Sequence, residues 1–140
     1  MFFDKAFLDK LSEQAKQNPR LRQSYDLRTT LEDNSQRMLN ALEPGTLMPI
    51  HRHRNTSETM VMVRGKLIER FYDEKGYITE ERLMVNGEGF MVNGSSEESC
   101  SVVQIPAGQW HSLEVLESGT IIFEAKDGAY EPLGDEDILL

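Results

Sequence analysis

The sequence predicts an all-β single domain with one helix laid against its outside. Three observations carry that expectation. A helical stripe is clear only near the N-terminus, before the Asn18-Pro19 pair. After residue 35 the apolar pattern loses its helical period and breaks into about eight short segments. Gly, Pro, Asn and Asp separate those segments, as in Pro44-Gly45, Asp73 to Gly76 and Pro106 to Gly108. Many short strands with such punctuation indicate a β-barrel or jelly roll. At 140 residues and 16.0 kDa the chain has the size of one domain with a core of its own.

Residues 4 to 16 read as the helix. Asp4 is placed to cap it, and Phe7, Leu8, Leu11 and Ala15 fall on one stripe. Pro19 ends it, because the residue before a proline is pushed out of the helical region. Arg20 to Asn34 is polar and reads as an extended arm or short strand, with Arg20, Arg22 and Arg28 close together. Residues 1–34 are thus expected to form helix and arm, 35–126 the barrel, and 127–140 an acidic tail.

Within the barrel region, Gln36 to Leu42 is the first strand and Thr46 to His53 the second. Glu58 to Val63 is the third. Lys66 to Tyr72 and Tyr77 to Val85 form a hairpin across Asp73 to Gly76. Gly87, Gly89 and Gly94 mark a looser region, and Ser95 to Ser99 a polar loop. Cys100 to Ile105, His111 to Leu116 and Thr120 to Ala125 complete the set. The tail carries acidic residues but ends in Ile138-Leu139-Leu140, which either docks or frays.

Composition excludes several functions. A net charge of −9 and a pI near 4.8 oppose binding to nucleic-acid backbones and anionic membranes. Cys100 is the single cysteine, so no disulfide forms within one chain, which suits a reducing compartment. Charges interrupt the opening M-F-F-D-K-A-F-L-D-K too early for a signal-peptide core, and no apolar run is long enough to span a membrane. A cytoplasmic protein is the expectation.

The chemistry concentrates between Gly45 and Gly65. A strand rises about 3.3 Å per residue and alternates its faces, so His51 and His53 point the same way. Four residues separate His53 from Glu58, enough to turn and begin the neighbouring strand. The third and last histidine, His111, lies in Q-I-P-A-G-Q-W-H. Three imidazoles and a carboxylate suit one divalent ion, Fe(II), Mn(II), Ni(II) or Zn(II).

Gly45, His51, His53, Glu58 and Gly65 stand at G-x5-H-x-H-x4-E-x6-G, which resembles the first motif of the cupin superfamily. Pro106, Gly108 and His111 resemble its second motif, with departures at the leading glycine, here Cys100, and at the closing asparagine. More narrowly, the N-terminal helix, N-P-R-L-R at Asn18 to Arg22, Q-R-M-L-N-A-L-E-P-G at Gln36 to Gly45 and H-R-H-R at His51 to Arg54 resemble the WbuC-type cupin-fold metalloproteins of bacteria. The resemblance implies a jelly-roll cupin barrel binding one metal through His51, His53, Glu58 and His111. It also implies a homodimer and an association with surface-polysaccharide or sugar-nucleotide synthesis.

Around the metal, alternation puts Met60 and Met62 on the face of Glu58, as cavity wall or as core. Ile105 and Leu113 are expected to wall the cavity on the side of the second motif. Arg37 is a candidate fork for a carboxylate or phosphate. Gln36 and Asn40 share the opposite face of that strand, so only one of these sets looks inward. Arg52 and Arg54 point away from the metal. Trp110 either caps the mouth or packs outside, and Cys100 reads as inert packing. The function expected is a metal-binding protein acting on a small polar metabolite. An isomerase or epimerase, with Glu58 as a candidate base, a dioxygenase and a non-enzymatic binding module all remain open.

Overall fold

The computed structural model describes residues 1–87 and 99–139. Among the described residues, eleven strands and one α-helix form three layers. Helix α1 (Lys5–Gln17) begins at Asp4, whose side chain accepts from the Phe7 N–H, and ends at Asn18. It lies on the outer face of a five-stranded sheet built from β1 (Arg22–Asp26), β2 (Gln36–Leu42), β10 (Thr120–Lys126), β4 (Glu58–Arg64) and β8 (Val102–Ile105), in that order. Leu11 and Ala15 of the helix pack on Leu39, Ala41 and Ile121, with Phe3, Phe7 and Tyr25 closing the edge in T-shaped ring contacts. Arg64 fastens helix to sheet through Asp9 and the Ser12 hydroxyl.

The second sheet has six strands. It runs β11 (Ile138–Leu139), β3 (Ile50–His51), β9 (Trp110–Val115), β5 (Lys66–Tyr72), β6 (Ile78–Val85) and β7 (Ser99–Cys100). Leu42, Met60, Met62, Leu67, Met84, Val115 and Ile122 fill the space between the sheets. The expected single β-rich domain is therefore present as two facing sheets. Among the described residues they do not close into one barrel.

Several elements differ from the sequence reading. The second expected strand, Thr46 to His53, shrinks to Ile50–His51 because Pro49 lacks an N–H and Leu47 is left exposed. The expected strand Cys100 to Ile105 divides at Ser101. Before it, β7 pairs with β6; after it, β8 pairs with β4, and the Ser101 carbonyl accepts from Met62 N–H. Gly89, Gly94 and residues 95–98 of the expected loop lie outside the described residues. Within the arm, Arg22–Asp26 joins the sheet as an edge strand beside β2.

The tail docks. Ile138 and Leu139 pair with His51 and Ile50 as an added strand, and the Asp137 carbonyl accepts from Arg52 N–H. The Asp137 carboxylate holds both Arg52 and Arg54, at 3.0 and 2.6 Å. No described helix is long and apolar enough to cross a membrane.

Candidate metal centre

His51 on β3 and His111 on β9 are direct cross-strand partners. Their ring centroids lie 4.3 Å apart, and His53, just past β3, lies 5.1 Å from His51 and 5.9 Å from His111. One ligating nitrogen from each ring falls within 4.8 Å of the others. Two rings are oriented by backbone. His51 Nδ1 bonds the Pro49 carbonyl at 2.8 Å and His111 Nδ1 bonds the Gln109 carbonyl at 2.9 Å. With Nδ1 engaged as donor, each ring presents the lone pair of Nε2. His53 is held through its backbone, whose carbonyl accepts from the Gly108 N–H. Gly108 adopts φ +85, which suits the glycine of the second motif.

Glu58, the first residue of β4, comes from the opposite sheet. Its Oε2 lies 3.5 Å from His111 Nε2 and 3.9 Å from His53 Nε2. Ligand atoms bound about 2.1 Å from one ion lie roughly 3 to 4 Å apart, so these separations suit a shared metal. Burial pushes the His51 pKa down to about 4 and that of His53 to about 3, and lowers that of His111. Neutral imidazoles with free lone pairs are the state a metal requires. The donor set fits a divalent ion.

The group opens into an inner cavity of about 170 Å³. Met60, Ile105 and Leu113 line it, whereas Met62 belongs to the core between the sheets. Strand β2 turns Asn40 into the cavity, while Gln36 is buried and bonds the Gly128 carbonyl. Arg37 is not among the lining residues. It faces the other way, and Asp33 and the Ser35 carbonyl hold its guanidinium. Trp110 is buried with the Arg52 guanidinium 4.5 Å above its ring. Cys100 packs beside Met84 and Leu83, and burial raises its thiol pKa.

Three charged residues that the sequence reading passed over also face this cavity. Glu124 and Lys126 come from β10, opposite Met60 and Glu58. Glu124 shares a hydrogen bond with Glu58, and burial together with that neighbour raises its pKa. Glu69, on β5 opposite Leu113, is only 3% exposed, and neither carboxyl oxygen has a partner among the described residues. Burial, reinforced by the charges of Glu58 and Glu124, pushes its pKa well above the ordinary carboxylate range. The signal lay in strand alternation. Glu69 occupies the buried phase shared with Leu67, and Glu124 the phase of Thr120 and Ile122.

The family model described as Domain of unknown function (DUF6016) matches residues 3–84. The chain belongs to that family. No curated protein matches the sequence. Among solved structures it is similar to KdgF from Halomonas sp., at 14% identity and a TM-score of 0.59, over 81% of this chain and 84% of that one. It also resembles an E162A mutant of Bacillus subtilis oxalate decarboxylase OxdC (21%, TM-score 0.55) and the capsular polysaccharide assembling protein CapF from Staphylococcus aureus (22%, TM-score 0.54). These two likenesses cover 77% and 79% of this chain but only 25% and 27% of the other proteins. The neighbours are cupin-fold proteins, and the likeness establishes the fold.

Proposed function

We propose that this chain is a WbuC-type cupin metalloprotein that holds one divalent ion through His51, His53, His111 and Glu58 and acts on a small polar metabolite. The observation that carries the reading is the convergence of the chain's three histidines around one cavity. An ion bound there supplies Lewis acidity toward a carbonyl or hydroxyl, or, as Fe(II), a site for oxygen activation.

Turnover is favoured over simple binding by Glu69. A buried carboxyl whose two oxygens have no hydrogen-bond partner among the described residues is costly to fold. Beside a bound metabolite it is placed to hold or deliver a proton, which makes it a better acid/base candidate than Glu58. Sugar isomerisation or epimerisation is the reaction class this combination suits best. The cupin-fold neighbour named as a capsular polysaccharide assembling protein supports a sugar or sugar nucleotide as substrate. By resemblance to cupin-like domains the protein is read as a homodimer, and its net charge of −9 and single cysteine support a cytoplasmic protein with no nucleic-acid or membrane partner.

Metal analysis of untagged protein tests the site. About one equivalent of Fe, Mn, Ni or Zn is expected, and the His51→Ala, His53→Ala double variant loses it. Full occupancy in that variant refutes the assignment. Turnover of sugar nucleotides without oxygen uptake supports the isomerase class. Oxygen uptake with an Fe(II) form supports a dioxygenase instead.

A further inference from the structure

The chain has nine arginines. Seven are ion-paired: Arg28 with Asp26, Arg37 with Asp33, Arg52 and Arg54 with Asp137, Arg64 with Asp9, Arg70 with Glu81 and Glu114, and Arg82 with Glu80. The two left without a carboxylate among the described residues are Arg20 and Arg22. In a chain of net charge −9, acidic partners are abundant, so this omission is specific to one place. Both arginines line the same cleft, of about 450 Å³.

That cleft leads to the metal centre. Asn40, Met48 and His51 line both it and the inner cavity. Arg22 is half-buried, and among the described residues its guanidinium donates a hydrogen bond to the Met48 sulfur, at 3.2 Å, and to no carboxylate. Leu21, between the two arginines, adopts φ +57, a left-handed conformation unfavourable to a non-glycine residue. Its backbone is fixed there by bonds from Leu21 N–H to the Asn18 carbonyl and from Glu43 N–H to the Leu21 carbonyl. Burial, then the neighbouring Arg20, lower the Arg22 pKa, and the charge of Glu124 offsets them only in part.

We infer that Arg20 and Arg22 anchor the oxyanion end of the metabolite, a carboxylate or phosphate, while its other end enters the cavity beside His51. This rests on the metal-site reading for the far end of the ligand, but not for the anchor itself. Guanidinium forks suit either oxyanion, and hydrogen bonds between charged groups are the strong ones.

The test titrates inorganic phosphate and, separately, succinate into the purified protein with and without Mn²⁺, followed by calorimetry and amide shifts. At least one probe binds, with shifts at Arg20 to Ser24, and the tighter one identifies the oxyanion class. Arg22→Gln weakens binding at least tenfold, Arg20→Gln weakens it less, and the double variant abolishes it. Arg22→Lys retains part, having charge without the fork. Arg28→Gln, outside the cleft, changes nothing. Failure of both probes to bind wild type, or equal binding by the folded double variant, overturns the inference. In the His51→Ala, His53→Ala variant, phosphate or succinate binding at the arginines persists without metal. Binding that needs the metal and ignores both arginines overturns the anchor and leaves the metal site standing.

Discussion

Gly65→Ala is the perturbation whose cost follows most directly from the structure. A Cβ at Gly65 would lie 2.2 Å from Thr120 Oγ1 and 2.6 Å from Thr120 Cα, and the residue sits at φ +88. Thr120 has no room to yield. It is fully buried, its hydroxyl lies 2.7 Å from the Glu117 carbonyl, and the Lys66 N–H bonds to that hydroxyl at 3.2 Å. The left-handed backbone costs about 1 to 2 kcal/mol. Overpacking adds about 1 to 3 kcal/mol and a disturbed hydroxyl bond about 1 kcal/mol. A loss of about 3 to 6 kcal/mol lowers Tm by roughly 10 to 20 °C in a domain of this size. Gly45 provides the comparison, because its added Cβ meets only the Leu21 Cδ1 side-chain atom at 3.2 Å. Gly45→Ala therefore loses about 1 to 2 kcal/mol, the backbone contribution alone. Thermal and urea unfolding of both variants, in the same metal state, measures the difference. If Gly65→Ala costs no more than Gly45→Ala, the steric argument for the closing glycine of the motif is wrong.

Three further outcomes are expected. Above the ordinary carboxylate range, folded Glu69 keeps a proton that the unfolded chain releases, so its contribution to stability falls as pH rises. In metal-free protein, Glu69→Gln should therefore melt above wild type at pH 8, with the gap closing toward pH 5; a constant gap contradicts the assignment. A divalent ion at a free concentration about 100 times its Kd should stabilise the protein by about 2.7 kcal/mol, or roughly 9 °C, and EDTA should reverse it. His53→Ala should remove that response. Asp137→Asn should speed amide exchange at Arg52, Ile138 and Leu139 while leaving exchange in β2 and β10 unchanged.

The sequence made the histidines legible because motif spacing and strand alternation act on neighbours in the chain. It also made β2 and β5 legible to the residue, since both are regular strands bounded by clear turns. Alternation allowed either face of β2 to look inward. Register decided it: Arg37 opposes Ala125 on one side, while Lys126, opposite Gln36, joins Glu58 on the cavity side. Glu69 and Glu124 were hidden for a different reason. A glutamate in a strand reads as solvated; alternation puts these two in phase with buried neighbours, and the opposing sheet encloses that face. Arg22 lay in a segment with no pattern, and its meaning appears only when the partners of every other arginine are known.

Strand β3 sets how the metal would come and go. His51 sits on a two-residue strand between β9 and the tail strand, and His53 follows it outside any ladder. His111 and Glu58, by contrast, belong to longer strands embedded in their sheets. Local opening of β3 breaks few backbone bonds and exposes little of the core, so it requires only a fraction of the free energy of global unfolding. Two ligands can therefore swing off an ion while the other two keep their places. Exchange of bound metal should run faster than the protein unfolds, and its rate should track the seating of residues 127–139 against β3.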